Sequence, residues 1–113
     1  MKPFTAQVIA VIQAIPEGKV MTYGGVARAA GSPRAARQVV RILHSMSRKY
    51  KLPWHRVVNA KGHIALDDES GSVQKLYLLG EGVQFEESGA INLELFQFHP
   101  QPDPEDHLLH PLA

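Results

Sequence analysis

Two short helical segments joined by Gly31-Ser32-Pro33 constrain the fold of this chain more than any other feature of its sequence. Thr22 has the hydroxyl of a helix N-cap and precedes a segment of about residues 23–30, which ends before the glycine. Ser32 can cap the next helix and Pro33 suits its first position, so we expect that helix to run to about residue 45. The joint between the two segments predicts a helix-turn-helix.

The second of these helices is expected to have one polar face and one apolar face. The polar stripe consists of Arg34, Arg37, Gln38, Arg41 and Ser45. The apolar stripe consists of Ala36, Val39, Val40 and Leu43. Because both sets recur at helical spacing, one face should pack against the core while the other presents three arginines. The small side chains of Ala35 and Ala36 would let the wall of a groove approach the start of this helix closely.

Shorter elements surround the helix-turn-helix. Apolar residues at helical spacing predict a first helix over about residues 4–15, and Val20 is expected in a short strand. Residues 45–52 are polar and basic and are expected to form a loop. The segments 56–59 and 63–66 flank Ala60-Lys61-Gly62, which predicts a β-hairpin that would act as a wing.

The C-terminal part of the chain is predicted to contain one more helix. The acidic segment 67–71 is expected to be a loop, and a helix should follow from about Val73 to near Gly82. Residues 83–85 and 91–93 are expected to form short strands. Four prolines lie among residues 99–113, which predicts a flexible, Pro-rich acidic tail.

The predicted fold is mainly α with short β elements, arranged as a winged helix-turn-helix. A chain of 113 residues has room for one sizeable core. We therefore expect one domain over residues 1–98 and the tail over residues 99–113.

Charge is distributed very unevenly along the chain. Residues 1–66 hold 11 of the 12 Lys and Arg residues and a single acid, Glu17, whereas the remainder holds Lys75 and 10 acids. The stretch from Arg28 to Lys61 contains nine basic residues and no acid. A basic half in a nearly neutral chain favours binding to a polyanion such as nucleic acid, and a merely solvated basic face is the alternative.

Composition removes several classes of function. The chain has no cysteine, which excludes disulfides, cysteine–zinc sites and thiol nucleophiles. It has no apolar run long enough to cross a membrane and no signal-peptide pattern, so we expect a cytoplasmic protein without membrane contact. A Gly-rich phosphate loop is also missing, and we expect no cofactor. His107 and His110 lie in the tail, where no predicted helix would hold them, and we expect no metal site there.

The segment Pro53-Trp54-His55-Arg56-Val57-Val58 resembles the Pro-Cys-His-Arg-Val signature of the O6-alkylguanine-DNA alkyltransferases, with Trp54 in place of the reactive cysteine. That replacement is typical of the alkyltransferase-like proteins. Over about residues 4–85, three further segments resemble the family pattern in the family's order: Gly18-Lys19-Val20-Met21-Thr22-Tyr23, Pro33-Arg34-Ala35-Ala36-Arg37 and Leu78-Leu79-Gly80-Glu81-Gly82. The resemblance implies a winged helix-turn-helix like the C-terminal domain of those enzymes.

The resemblance also implies roles for individual residues. Arg37 matches the arginine finger that fills the gap left by an extruded guanine, and Tyr23 matches the tyrosine that pushes on the neighbouring phosphate. The recognition helix of this family enters the minor groove. The DNA-contacting residues implied here are Tyr23, Arg34, Ala35, Ala36, Arg37, Gln38 and Arg41. The implied lesion pocket comprises Tyr23, Trp54, His55, Arg56, Ala65, Leu66 and Glu81.

Two features depart from the family pattern. The turn before the Pro-Cys-His-Arg motif carries an asparagine in the transferases, whereas residues 45–49 contain none. Some alkyltransferase-like proteins place an arginine in the loop after the wing, but the corresponding Ala65-Leu66-Asp67-Asp68 has no cation.

The chemistry of Trp54 excludes alkyl transfer by this residue. Transfer needs a soft nucleophile such as an activated thiolate, and an indole only donates a hydrogen bond from its N–H. We therefore expect no enzyme activity, and His55 as an alkyl acceptor is a weak alternative. A flat indole can instead stack on a flipped base, which is worth about 1–3 kcal/mol per base.

The resemblance implies a protein that binds O6-alkylguanine in duplex DNA and flips the base, and we expect it to be a monomer. By resemblance, it would flag the lesion for nucleotide excision repair proteins. The alternative is a plain winged-helix DNA-binding or regulatory protein that ignores lesions.

Overall fold

The computed structural model describes residues 1–100 of the chain. It is mainly helical with one short parallel sheet, which confirms the predicted fold class. The helices are α1 (Pro3–Gln13), α2 (Tyr23–Ala29), α3 (Ala36–Tyr50), α4 (Glu69–Gly80) and α5 (Leu93–Phe96). The strands are β1 (Met21–Thr22) and β2 (Val57–Val58), and a single 3₁₀ turn spans Trp54–Arg56.

The two strands join the N-terminal helices to the segment that contains Trp54. β1 and β2 are parallel, with Met21 opposite Val57 and Thr22 opposite Val58. The Thr22 hydroxyl accepts a hydrogen bond of 2.9 Å from the backbone N–H of Gly25, which confirms the predicted N-cap of α2. Since α2 starts directly after β1, the sheet fixes Tyr23 on the same side of the molecule as Trp54.

Two clusters of apolar side chains form the core. The larger packs α1, α2 and α3 against both strands, with Val8, Ile12, Val26, Val39 and Val57 among its buried members. The smaller lies under α4 and the C-terminal segment and consists of Val20, Val58, Leu78, Val83 and Ile91. The sheet therefore contributes to both clusters and holds them together.

α3 starts later and ends later than the sequence predicted. Pro33 and Arg34 form a turn, because the backbone N–H of Ala35 donates to the Ser32 carbonyl at 3.0 Å. Serine followed by proline at the second position is a common β-turn pattern, and here it replaces the expected N-cap. The helix begins only at Ala36, so Arg34 lies outside it.

The predicted loop over residues 45–52 is also wrong for most of its length. α3 continues to Tyr50, because Met46 and Tyr50 still pack against the larger core cluster. Lys51 then adopts the left-handed conformation with φ 51°, and the N–H of Leu52 donates to the Ser47 carbonyl at 2.9 Å. This left-handed residue ends the helix.

The predicted hairpin is reduced to a turn. β2 pairs with β1 and not with residues 63–66, which form no strand. The N–H of Asn59 donates to the His63 carbonyl at 3.0 Å, and the Asn59 side chain accepts from the N–H groups of Lys61 and His63. The Gly62 carbonyl instead accepts from Ile91, so the C-terminal segment takes the place of a second wing strand.

α4 starts before the position expected from the sequence. Asp68 is its N-cap and accepts from the N–H of Ser70 at 2.9 Å, so Glu69–Gly71 belong to the helix and not to a loop. Gly71 faces the carbonyl of Leu66, and a side chain at position 71 would collide with that carbonyl. The missing side chain lets the segment before α4 lie directly against the helix.

The C-terminal segment closes the edge of the fold beside β1. The strands predicted over residues 83–85 and 91–93 are reduced to a single bridge between Phe85 and Ile91. The short helix α5, which follows them, was not predicted from the sequence. Val20, which was expected in a short strand, directly precedes β1 and forms a bridge with Gln97. Its N–H donates to the Phe96 carbonyl at 2.9 Å, and its carbonyl accepts from Phe98 at 2.7 Å.

Within residues 1–100, no helix is long and apolar enough to cross a bilayer. Residues 101–113, which hold most of the predicted flexible tail, lie outside the described residues.

Candidate nucleic-acid interface

The N-terminal end of α3 forms a basic hollow on the surface. The hollow has a volume of about 620 Å³ and is lined by Ser32, Arg34, Ala35, Ala36, Arg37, Gln38 and Arg41. The three arginines and Gln38 are exposed, whereas the two alanines are half-buried. The structure therefore brings together every residue predicted to contact DNA except Tyr23, although Arg34 projects from the turn before the helix.

A larger cavity of about 1150 Å³ lies further along α3. Five of the residues predicted for a lesion pocket line it, namely Tyr23, Trp54, His55, Arg56 and Leu66. The other two do not. Ala65 is exposed next to Leu66 and outside the lining, and Glu81 lies behind His55 and Arg56 as their partner.

One wall of this cavity is a face of α3. Val40, Leu43 and Ser47 lie on it, one helical turn apart. Val40 was expected in the core, but 44% of its surface is exposed because it faces the cavity. Ile42, which was not part of the predicted stripe, is buried in its place. The apolar side of α3 is thus divided between the core and the cavity.

Trp54 is held in the wall of the cavity by a tight local turn. Its backbone N–H donates to the Leu52 carbonyl at 2.8 Å, and the N–H of Arg56 donates to the Pro53 carbonyl at 3.0 Å. The indole is half-buried, and its ring centre lies 6.2 Å from that of His55 at nearly a right angle. Part of the indole surface is therefore available to a ligand in the cavity.

Gln74 on α4 fixes this turn from below, and the sequence analysis did not identify it. Its side-chain nitrogen donates to the carbonyls of His55 at 3.1 Å and Val57 at 3.0 Å. Only 1% of the residue is exposed, and its side-chain oxygen has no partner in residues 1–100. Two acceptors facing the amide fix its orientation. The signal available in the sequence was a polar residue on the buried face of a predicted helix.

Tyr77 is a second residue of the cavity wall whose position there was not predicted from the sequence. Its ring centre lies 6.2 Å from that of Trp54 and 5.3 Å from that of His55, and 52% of its surface is exposed. The three rings form an aromatic cluster on the wall of the cavity. Tyr77 lies one helical turn before Glu81, and this spacing was the available signal.

Glu81 holds the two basic side chains of the cavity wall, His55 and Arg56, in place. Its carboxylate accepts from His55 at 2.7 Å, from the Arg56 guanidinium at 2.7 Å and from the backbone N–H of Gly18 at 3.0 Å. Arg56 also donates to the Ile15 carbonyl at 2.9 Å. Burial alone would raise the pKa of Glu81, but the hydrogen bonds from Arg56, Gly18 and His55 outweigh it and lower the pKa from 4.5 to about 2. The network keeps Glu81 charged and fixes both basic side chains.

Tyr23 lies on the cavity wall at the start of α2. The residue is half-buried, and burial raises the pKa of its hydroxyl above the ordinary value of 10.0. The phenol is therefore a neutral hydrogen-bond donor at physiological pH, as a contact to a phosphate requires.

The metal interpretation of the tail histidines is not addressed by the described residues. His107 and His110 lie outside them, and residues 1–100 contain no group of three His, Asp or Glu side chains placed to hold a metal ion.

Comparison with known proteins identifies the family. A family model described as the DNA-binding domain of 6-O-methylguanine DNA methyltransferase matches residues 3–83. A DNA base-flipping protein of Escherichia coli (strain K12) is 47% identical over 96 residues, which cover 85% of this chain and 74% of that protein. Alkyltransferase-like protein 1 of Schizosaccharomyces pombe is 37% identical over 106 residues, 90% of this chain and 98% of that protein. The chain belongs to the alkyltransferase-like proteins.

Solved structures agree with this assignment. S. pombe Atl1 in complex with damaged DNA containing O6-carboxymethylguanine superposes with a TM-score of 0.75 at 37% identity, over 88% of this chain and 98% of that chain. The O6-methylguanine methyltransferase of Mycobacterium tuberculosis gives a TM-score of 0.59 at 25% identity, over 84% of this chain and 55% of the enzyme. In this alkyltransferase-like protein, Trp54 stands where the family resemblance places the reactive cysteine of the transferases, and the chain has no cysteine.

Proposed function

We propose that this alkyltransferase-like protein binds O6-alkylguanine in duplex DNA and holds the flipped base in its cavity without transferring the alkyl group. The observation that carries the proposal is the position of Trp54. The indole lies in the wall of a 1150 Å³ cavity, which begins on the same helix that carries the basic hollow at its N-terminal end.

The hollow supplies the contacts to the duplex. Arg34, Arg37 and Arg41 are exposed around the half-buried Ala35 and Ala36, so a groove wall can approach the backbone between cations. The family resemblance assigns this surface to the minor groove. The guanidinium of Arg37 is flat, and it can occupy the gap in the base stack while donating hydrogen bonds to the orphaned cytosine.

The cavity supplies the contacts to the flipped base. Flipping costs a few kcal/mol, and least for a base that pairs badly, so O6-alkylation lowers the cost of extruding the guanine. Trp54 and Tyr77 offer aromatic surface to the base. Leu66 offers an apolar contact from the loop in which some alkyltransferase-like proteins place an arginine. The stacking, about 1–3 kcal/mol per base, offsets the remaining cost of flipping.

The proposed roles of Arg37 and Arg34 can be separated by binding measurements on two duplexes that differ only by one O6-methylguanine. We expect Arg37→Ala to lose about tenfold (1.4 kcal/mol) of the preference for the modified duplex, because the gap in the stack is no longer filled. Arg34→Ala removes the same charge nearby and should weaken both duplexes alike.

Two outcomes would contradict this assignment. If Arg37→Ala keeps the wild-type preference, the finger role belongs to another residue. If the wild-type protein binds both duplexes equally, the plain winged-helix DNA-binding protein becomes the better description.

A protein that binds a lesion without removing it needs a downstream partner. We propose, from the family resemblance, that nucleotide excision repair proteins recognise the complex, and that acidic residues after position 66 other than Glu81 provide contacts. Deleting residues 99–113 and measuring recruitment of the repair proteins to alkylated DNA tests the contribution of the tail. Unchanged recruitment would count against it.

A further inference from the structure

Basic residues form a row along α3, and this row extends well beyond the hollow to the residue that ends the helix. Arg37, Arg41, His44, Arg48 and Lys51 recur at steps of 4, 3, 4 and 3 residues and are all exposed. Such steps place the first four on one side of the helix, over about 17 Å, and Lys51 follows directly after the end of the helix. The row exists because α3 continues to Tyr50, where the sequence had predicted a loop.

The row passes from the hollow to the cavity. Its first two members line the hollow, and its last three, His44, Arg48 and Lys51, line the cavity that contains Trp54. We call the two charged residues among them, Arg48 and Lys51, the cationic rim.

The cationic rim is not engaged by carboxylates of the described chain. Within residues 1–100 the ion pairs involve only His55 and Arg56 as cations, and α3 itself contains no acidic residue. The other cations on the cavity wall, by contrast, are fixed by Glu81. One carboxylate, Asp68, also lines the cavity, but it forms no ion pair with the rim. The rim therefore presents unpaired charge at the cavity, where an anion can reach it.

We propose that the cationic rim binds the phosphates on either side of the flipped nucleotide, and so stabilises the flipped state rather than duplex binding in general. This inference rests on the proposed function. A nucleotide that rotates about its backbone into the cavity brings its two flanking phosphates to the edge of that cavity. A guanidinium such as that of Arg48 donates two parallel hydrogen bonds to a phosphate, and the ammonium of Lys51 adds a point charge.

A purely structural explanation for Arg48 predicts a different result. Basic residues in the last turn of a helix are favourable next to the partial negative charge of its C-terminus, and both Arg48 and Lys49 lie there. Lys49 does not line the cavity. Both residues can therefore stabilise the C-terminus of α3, but only Arg48 is placed to bind a phosphate at the cavity.

The test compares Arg48→Gln and Lys51→Asn with the matched control Lys49→Gln. Each variant removes one charge, and asparagine tolerates the left-handed conformation of position 51. Binding to duplexes with and without one O6-methylguanine is measured as a function of salt. We expect each rim variant to weaken binding to the modified duplex about fivefold more than to the unmodified one. The salt slope on the modified duplex should fall by about 0.9.

Lys49→Gln should change the binding of both duplexes by the same factor. All three variants should unfold cooperatively, and Arg48→Gln and Lys49→Gln should lower Tm by similar amounts. The inference is overturned if the rim variants keep the wild-type preference, or if they weaken both duplexes equally, as a contact to duplex DNA in general would. A wild-type protein without preference would overturn the proposed function itself, and with it the role of the rim.

Discussion

At the scale of single residues, Glu81 determines the geometry around the cavity. It binds His55, Arg56 and the backbone of Gly18 at once, so one carboxylate connects the N-terminal loop, the 3₁₀ turn and the end of α4. The motif that contains Glu81 was recognisable in the sequence. Its contact with Gly18, 63 residues away, was not, because no local pattern specifies which distant backbone group a carboxylate will accept from.

The lowered pKa of Glu81 makes the stability of the fold dependent on pH. The pKa is 4.5 in an unperturbed chain and about 2 in the folded protein, so the carboxylate stabilises the fold fully above about pH 5. This contribution is lost as the pH falls from about 5 towards 2. We expect the free energy of unfolding of the wild type, measured in urea, to fall more steeply over this range than that of Glu81→Gln.

At neutral pH, Glu81→Gln should be less stable than the wild type by about 1.5–3 kcal/mol, because hydrogen bonds to charged groups are lost. Glu87→Gln removes an exposed carboxylate nearby and should retain the wild-type pH dependence. Parallel pH profiles for the wild type and Glu81→Gln would show that the network around Glu81 does not stabilise the fold.

At the scale of secondary-structure elements, periodicity predicted which segments are helical better than where they end. The apolar spacing of α1 and the Thr22 cap of α2 were readable, since both depend on neighbours in sequence. The start of α3 was misplaced because Ser32-Pro33 suits a β-turn as well as a helix start. The predicted hairpin of the wing does not form, because β2 pairs with β1, whose residues lie 36 positions earlier in the sequence.

At the end of α3, glycine substitutions at positions 51 and 49 are expected to have opposite effects on the stability of the protein. Lys51 is the one non-glycine residue of the described chain with a positive φ, at 51°. The left-handed conformation costs a residue with a side chain about 1–2 kcal/mol. Glycine adopts it without this steric cost but loses more backbone entropy on folding. We expect Lys51→Gly to stabilise the protein by about 0.5–1 kcal/mol in thermal unfolding.

Lys49→Gly removes the same charge from within the last turn and should destabilise by about 1 kcal/mol. If both variants shift Tm in the same direction, charge at the helix end outweighs backbone geometry.

At the scale of the whole molecule, the basic half and the acidic half of the sequence both contribute to the surface that contains the hollow and the cavity. The basic half supplies the hollow, the row of basic residues along α3 and the Trp54 turn. The acidic half supplies α4, whose Gln74 and Tyr77 complete the cavity wall and whose end leads directly into Glu81. Five residues of the cavity lining were recognisable by family resemblance. Their supports on α4 were not, because a buried amide and a half-exposed tyrosine carry no motif.

The central claim is that a flipped, alkylated base lies against Trp54, and the composition of the chain makes this directly measurable. Trp54 is the only tryptophan, so the tryptophan emission of the protein reports on the wall of the cavity. The most direct test is a fluorescence titration in moderate salt with two duplexes that differ only by one O6-methylguanine. We predict strong quenching by the modified duplex and binding at least about tenfold (1.4 kcal/mol) tighter than to the unmodified one. Equal affinities with little change in Trp54 emission would contradict the account.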